Sequence, residues 1–133
     1  LAFFRDFSKG ELKEVSKVAL WRRFEPGAAI FSEGEKERAF FVIAEGAVSI
    51  AINGVRIRDL DPGDCFGEME YLADGGRSAT VTANRDTTVV RIDRDFKDWA
   101  SLPCQLRLGK AFQGVLIERL RQTTKELAGA LRR

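Results

Sequence analysis

The period of hydrophobic and polar positions changes twice along the chain. From Ser8 to Leu20 the apolar residues Leu12, Val15, Val18 and Ala19 fall on one helical face, and Ser8 and Glu11 stand at capping-box spacing. This predicts an amphipathic helix over about 8–20. From Arg22 to Ile92 the pattern becomes short β-rich runs divided by Gly, Asp and Asn: Ala39–Ala44, Ala47–Ile52, Val55–Leu60, Ala79–Asn84 and Thr87–Ile92. Asn53-Gly54 joins two of them and signals a hairpin, because both residues tolerate the positive φ of a type I′ turn. Gly27, Gly34, Gly46 and Gly63 also fall between runs. Short strands at regular spacing predict a mainly β, antiparallel architecture, a small barrel or jelly roll, with flanking helices.

After Ile92 the helical period returns. Asp93 is placed to cap a short segment through Ala100, and Pro103 suits the first turn of a longer helix toward the chain end. Phe112, Leu116, Leu120, Leu127 and Leu131 recur along it at spacings of three, four or seven. The pattern favours packing on its own barrel over a coiled-coil seam, since fewer than three clean heptads are present, although a homodimer through this helix stays open. No internal repeat or low-complexity tract stands out.

Composition narrows the function classes. At 133 residues the chain suits one domain spanning 1–133, with helices at about 8–20 and 93–131 around a β region at about 22–92. The net charge of +2 argues against direct nucleic-acid binding, and too little chain follows Ile92 for a helix-turn-helix beside these helices. Having no histidine removes the commonest general base and metal ligand. Cys65 and Cys104 alone make neither a zinc site nor a disulfide framework, so the expectation is no metal, no cofactor and no catalysis. No apolar run approaches the ~20 residues of a membrane span, and nothing resembles a signal peptide, which points to a soluble module in a reducing, cytoplasmic compartment. The chain opens at Leu1, and Met69 is its only methionine, so a piece of a longer protein is expected.

One segment carries chemistry: Pro62 to Leu72, then Ala73-Asp74-Gly75-Gly76, then Arg77-Ser78-Ala79-Thr80-Val81. A short helix over Glu68–Leu72, entered through Gly67, would leave backbone N–H groups unpaired as an anion cradle. Arg77 can reach back over that cradle with a planar fork suited to two phosphate oxygens. Glu68 suits a sugar hydroxyl better than a phosphate, which it would repel. A ligand with one phosphate and a nearby free hydroxyl fits the pairing.

Phe66-Gly67-Glu68, Arg77 ten residues after the glycine, and Ser78-Ala79-Thr80-Val81 resemble the phosphate-binding cassette of the cyclic nucleotide-binding domain family. The resemblance continues upstream through Phe24-Glu25-Pro26-Gly27, Glu33-Gly34, Phe40 to Gly46 and Leu60 to Asp64, and covers essentially the whole chain. It implies a β-roll with an N-terminal helix, a short cassette helix and two C-terminal helices. It also implies a non-catalytic sensor of cAMP or cGMP that acts through those helices on an effector or parent protein outside this chain. By position, Gly67 and the N–H groups of Glu68, Met69 and Glu70 would face the cyclic phosphate, Glu68 the ribose 2′-hydroxyl and Arg77 the exocyclic oxygens. Ser78 would lie by the phosphate and purine edge, and Phe66 and Ala79 complete the set of ligand-binding residues. Ile50 would line the base pocket, with Leu116, Arg119 or Leu120 closing over it.

Each residue has a plainer reading. Arg77 could pair with Asp74 as an ordinary surface ion pair. Phe66, Leu72 and Val81 are read as core, Cys65 and Cys104 as inert buried thiols, and Trp21 and Trp99 as packing residues. Glu70 is discordant: the family commonly places a small residue there, and a carboxylate folded inward would repel the ligand or compete for the cradle. The competing expectation is therefore a degenerate interaction or dimerisation module that no longer binds nucleotide.

Overall fold

The computed structural model describes residues 2–132. The capping box forms as expected: Ser8 Oγ accepts the Glu11 N–H at 3.1 Å, and Glu11 Oε1 accepts the Ser8 N–H at 2.9 Å. Helix α1 nevertheless spans only Lys9–Ser16. Leu20, expected as its last residue, opens strand β1 (Leu20–Phe24), where pairing with Arg91 outweighs local helical periodicity.

The chain continues through β2 (Ala29–Phe31), β3 (Ala39–Glu45), β4 (Val48–Ile52), β5 (Val55–Leu60), β6 (Cys65–Phe66), α2 (Glu68–Leu72), β7 (Thr80–Ala83) and β8 (Thr87–Asp93). Two further helices follow, α3 (Phe96–Trp99) and α4 (Leu102–Leu131). The strands form two four-stranded antiparallel sheets, ordered β1-β8-β3-β6 and β2-β7-β4-β5, so the fold is a β-roll rather than a closed barrel. Asn53 and Gly54 take φ of 51° and 77°, closing the β4–β5 hairpin on an Ile52–Val55 pair. Gly46, at φ 93°, turns β3 into β4 where a Cβ would come within 2.4 Å of Asp86 O.

Strand β3 explains the core. Its run Ala39-Phe40-Phe41-Val42-Ile43 is buried throughout, and alternation sends Ala39, Phe41 and Ile43 between the sheets with Phe31, Phe66 and Val81. Phe40 and Val42 face the other way, into a second cluster with Phe3 and Phe7 from the N-terminal turn at residues 2–7 and Tyr71, Phe96 and Phe112 from α2, α3 and α4. A continuous hydrophobic strand thus serves two cores at once.

The C-terminal helices depart from expectation in two respects. Asp93 belongs to β8 and accepts the Asp95 N–H, so α3 is a single turn starting at Phe96. Helix α4 is capped by Ser101, carries Pro103 in its first turn, and buries Cys104, Leu108 and Phe112. Thirty residues rise ~45 Å, and beyond Arg119 every described residue of the helix is exposed, Leu120, Leu127 and Leu131 included. Apolar packing on the roll therefore holds for its first half only. Trp21 and Trp99, expected as packing residues, are 66% and 54% exposed: Trp21 lies on an edge strand, and Trp99 presents one edge to Phe96. No helix is long and apolar enough to cross a membrane.

Candidate ligand site

Strand β6 delivers the chain into Gly67, whose φ of 78° turns it sharply into α2. A side chain would not fit: a Cβ there would lie 2.9 Å from Arg77 Nη1 and 3.1 Å from Ala39 O. The glycine seats Glu68 and Glu70 in the first turn of α2, where carboxylates suit the helix dipole, and both side chains fold inward and are buried.

A cavity of about 320 Å³ opens between α2, β4, β5, β7 and α4. Of the nine residues singled out in the sequence, Phe66, Gly67, Glu68, Met69, Glu70, Ser78, Ala79 and Ile50 line it. Arg77 does not. Its guanidinium lies behind Glu70, only 2% exposed and stacked 4.0 Å above the Phe31 ring centre.

The bonding of Arg77 explains this position. Nη1 donates to Gly67 O and Glu70 Oε1, both at 3.1 Å, while Nη2 donates to Glu37 Oε1 at 2.9 Å and Ala39 O at 2.7 Å. All four N–H bonds of the two terminal nitrogens are thereby used, and Nε is buried without a partner among the described residues. The cassette arginine thus pairs with Glu70 and Glu37 and not with Asp74. Asp74 instead bridges Arg38 at 2.6 Å and Arg94 at 3.0 Å, and the Arg94 hydrogen bond, followed by the Arg38 charge, lowers its carboxyl pKa. The other Glu37 oxygen accepts from Arg91 Nε at 3.0 Å, and Arg91 pairs with Asp93 at 3.2 Å, extending the ionic chain to the end of β8.

The second carboxylate is also engaged. Arg119 of α4 donates to Glu68 Oε1 at 2.7 Å and to Cys65 O, which fastens the last helix to the cassette. Of the three residues suggested as the closing contact, Arg119 reaches the cavity and Leu116 and Leu120 do not line it; Thr123 joins it one turn further on. Arg58 lines the same wall, donates to Thr123 Oγ1 at 3.2 Å and lies 3.8 Å from Glu126.

Phe66 and Val81 are both buried core residues and cavity wall, whereas Leu72, read as core, is 46% exposed. Burial raises the Cys65 thiol well above its ordinary pKa and the Cys104 thiol to about 11, which keeps both protonated and unreactive at neutral pH. Sequence reasoning missed Glu37, Arg58 and Thr123. No local pattern marks Glu37, which meets Arg77 across 40 residues of chain. A larger cavity of about 570 Å³ lies between residues 2–7, β5 and α4, and shares only Arg58 and Arg119 with the 320 Å³ cavity.

Residues 21–98 match the family described as cyclic nucleotide-binding domain. The chain is 32% identical over 121 residues to the cGMP-dependent protein kinase of Eimeria tenella, covering 91% of this chain and 12% of the kinase. It is 37% identical over 92 residues to the cAMP-dependent protein kinase regulatory subunit of Yarrowia lipolytica, covering 68% of this chain and 24% of the subunit. Among solved structures, the Thermus thermophilus catabolite activator protein superposes with a TM-score of 0.79 at 26% identity, covering 96% of this chain and 62% of that one. The chain thus spans a small part of the length of the curated relatives it matches.

Proposed function

The chain belongs to the cyclic nucleotide-binding domain family, and from that premise we propose that it is a non-catalytic sensor that takes up a 3′,5′-cyclic purine nucleotide, cAMP first, in the 320 Å³ cavity. One observation carries the reading: eight of the nine residues chosen from the sequence, seven around the cassette and Ile50 of β4, line one cavity with Arg119 of α4. The phosphate is assigned to the first turn of α2 and, once Glu70 gives way, to Arg77, the ribose hydroxyl to Glu68 and the purine to the apolar wall at Ile50 and Val81. Arg119 ties α4 to the cassette carboxylate that would receive the ribose, so occupancy changes the contacts that hold α4. Such differential contact is what a ligand-driven population shift requires. The effector that reads the shift is assigned to a longer, cytoplasmic parent protein of the kinase-regulatory kind.

The closed Arg77 supports a second reading. With its terminal N–H groups occupied by Glu70, Glu37, Gly67 and Ala39, the fold would serve as an interaction module without nucleotide, with the exposed leucines of distal α4 as its contact, in a homodimer or against another partner. Titration calorimetry of the purified domain with cAMP and cGMP, on wild type and Glu70→Ala, separates the two. Saturable binding to the wild type establishes the sensor and ranks its ligands. No heat and no thermal stabilisation in the wild type, with binding restored in Glu70→Ala, establishes the closed module. Silence in both folded proteins removes the cavity as a nucleotide site.

A further inference from the structure

We propose that the cavity, in the state with Glu70 closed on Arg77, accepts an uncharged purine nucleoside, and that this nucleoside competes with the cyclic nucleotide. The inference rests on the reading of the cavity as the ligand site and adds a second ligand class to it. Its first support is the donor count at Arg77, which leaves no terminal N–H for a phosphate until Glu70 or Glu37 gives way. The second is charge balance. Arg77 faces Glu70 and Glu37, Arg119 faces Glu68, and Arg58 faces Glu126, so no guanidinium at this site lacks a carboxylate. A phosphate entering this arrangement adds a negative charge beside Glu68 and Glu70, which face the same space.

A nucleoside meets no such conflict. Glu68 and Glu70 each commit one oxygen to an arginine, and their second oxygens have no protein partner among the described residues. These are acceptors for the hydroxyl donors of a ribose. Phe31, Ile50, Ile57 and Val81 supply an apolar wall for a purine. A nucleoside would therefore occupy the cavity with the Glu70–Arg77 pair intact, whereas a cyclic nucleotide must open it.

The opposite dependence on Glu70 is the test. Adenosine and guanosine are titrated calorimetrically into wild type, Glu70→Ala and Glu70→Gln, and cAMP is then titrated in the presence of each nucleoside, with circular dichroism confirming that the variants are folded. The expected result is saturable nucleoside binding to wild type that raises the apparent Kd of cAMP, weakening several-fold in Glu70→Ala while cAMP binding strengthens tenfold or more. Glu70→Gln retains an acceptor, so it should keep most of the nucleoside affinity. If cAMP binds wild type but neither nucleoside does, or if nucleoside and cAMP gain equally from Glu70→Ala, this proposal fails and the cyclic nucleotide reading stands. If no ligand binds any of the three folded proteins, both fail.

Discussion

Replacing Glu70 with alanine should tighten cyclic nucleotide binding rather than loosen it, although Glu70 lines the cavity. In the closed state its carboxylate holds Arg77 Nη1 at 3.1 Å, so an incoming phosphate must break that charge-assisted hydrogen bond before making its own. A hydrogen bond to a charged group is worth ~1.5–3 kcal/mol net, which corresponds to a gain of ~10- to 100-fold in Kd once the competitor is removed. The stability cost stays moderate, because Arg77 keeps Glu37, Gly67 O and Ala39 O and is not left as an uncompensated buried charge. Arg77→Ala is different: it strands the buried Glu70 carboxylate, while Glu37 keeps only Arg91, and should approach the ~3–5 kcal/mol penalty of a broken buried pair. Loss of binding in that variant would report unfolding as much as lost phosphate recognition, which makes Glu70 the better probe. The assay is titration calorimetry with cAMP and cGMP, paired with a thermal melt of each variant. A folded Glu70→Ala protein that binds no more tightly than wild type would refute the competition argument.

Three other outcomes follow from particular contacts. Gly67→Ala places a Cβ 2.9 Å from Arg77 Nη1 at a φ of 78°, so melting temperature and nucleotide affinity should both fall; a variant as stable as wild type would show that the turn is not held by that contact. Tyr71 is buried with its hydroxyl unpartnered among the described residues, so Tyr71→Phe should be neutral or stabilising by ~1 kcal/mol in denaturant unfolding, and a clear loss of stability would show that the hydroxyl is satisfied. Glu14 accepts from the hydroxyl and N–H of Ser101, each at 2.7 Å, clasping α1 to the cap of α4, and these bonds lower its carboxyl pKa below the ordinary value of 4.5. Because the folded value is the lower one, the contribution is complete above the ordinary value and is lost as pH falls through the lowered one. Glu14→Gln should therefore be less stable than wild type at neutral pH, with the gap closing on acidification; a gap independent of pH would assign the effect to packing.

Much of the architecture was legible because its signals are local. The Ser8–Glu11 box acts across three residues, and Asn53-Gly54 supplies its own positive φ. The Val55–Leu60 strand was placed to the residue by its bounding turns. The cassette was legible for the same reason: Gly67, α2 and the strand after Arg77 are consecutive, so their spacing constrains how they can face one another. Errors collected where distant chain decides. Helix α1 lost its last turn because Leu20 found a strand partner in Arg91, and Leu72 became exposed although its neighbour Tyr71 is core. The leucine repeat of α4 was real as a pattern, yet a 30-residue helix outruns the roll it packs on, and periodicity does not record how much surface awaits it.

The sequence by itself determined the helix–β–helix order, five of the eight strands, the hairpin, the short helix after Gly67 and the presence of a discordant carboxylate at position 70. Only the tertiary structure decided what that carboxylate does. Arg77 had Asp74 three residues away and Glu37 forty residues away, and it took Glu37 and Glu70 while Asp74 went to Arg38 and Arg94. Hydrogen bonds that close within a turn are fixed by the backbone they share, and their spacing can be read directly. The partner of a charged side chain is chosen among every opposite charge that folding brings within a few ångströms, and that set exists only once β3, α2 and the loop carrying Glu37 have packed around the same guanidinium.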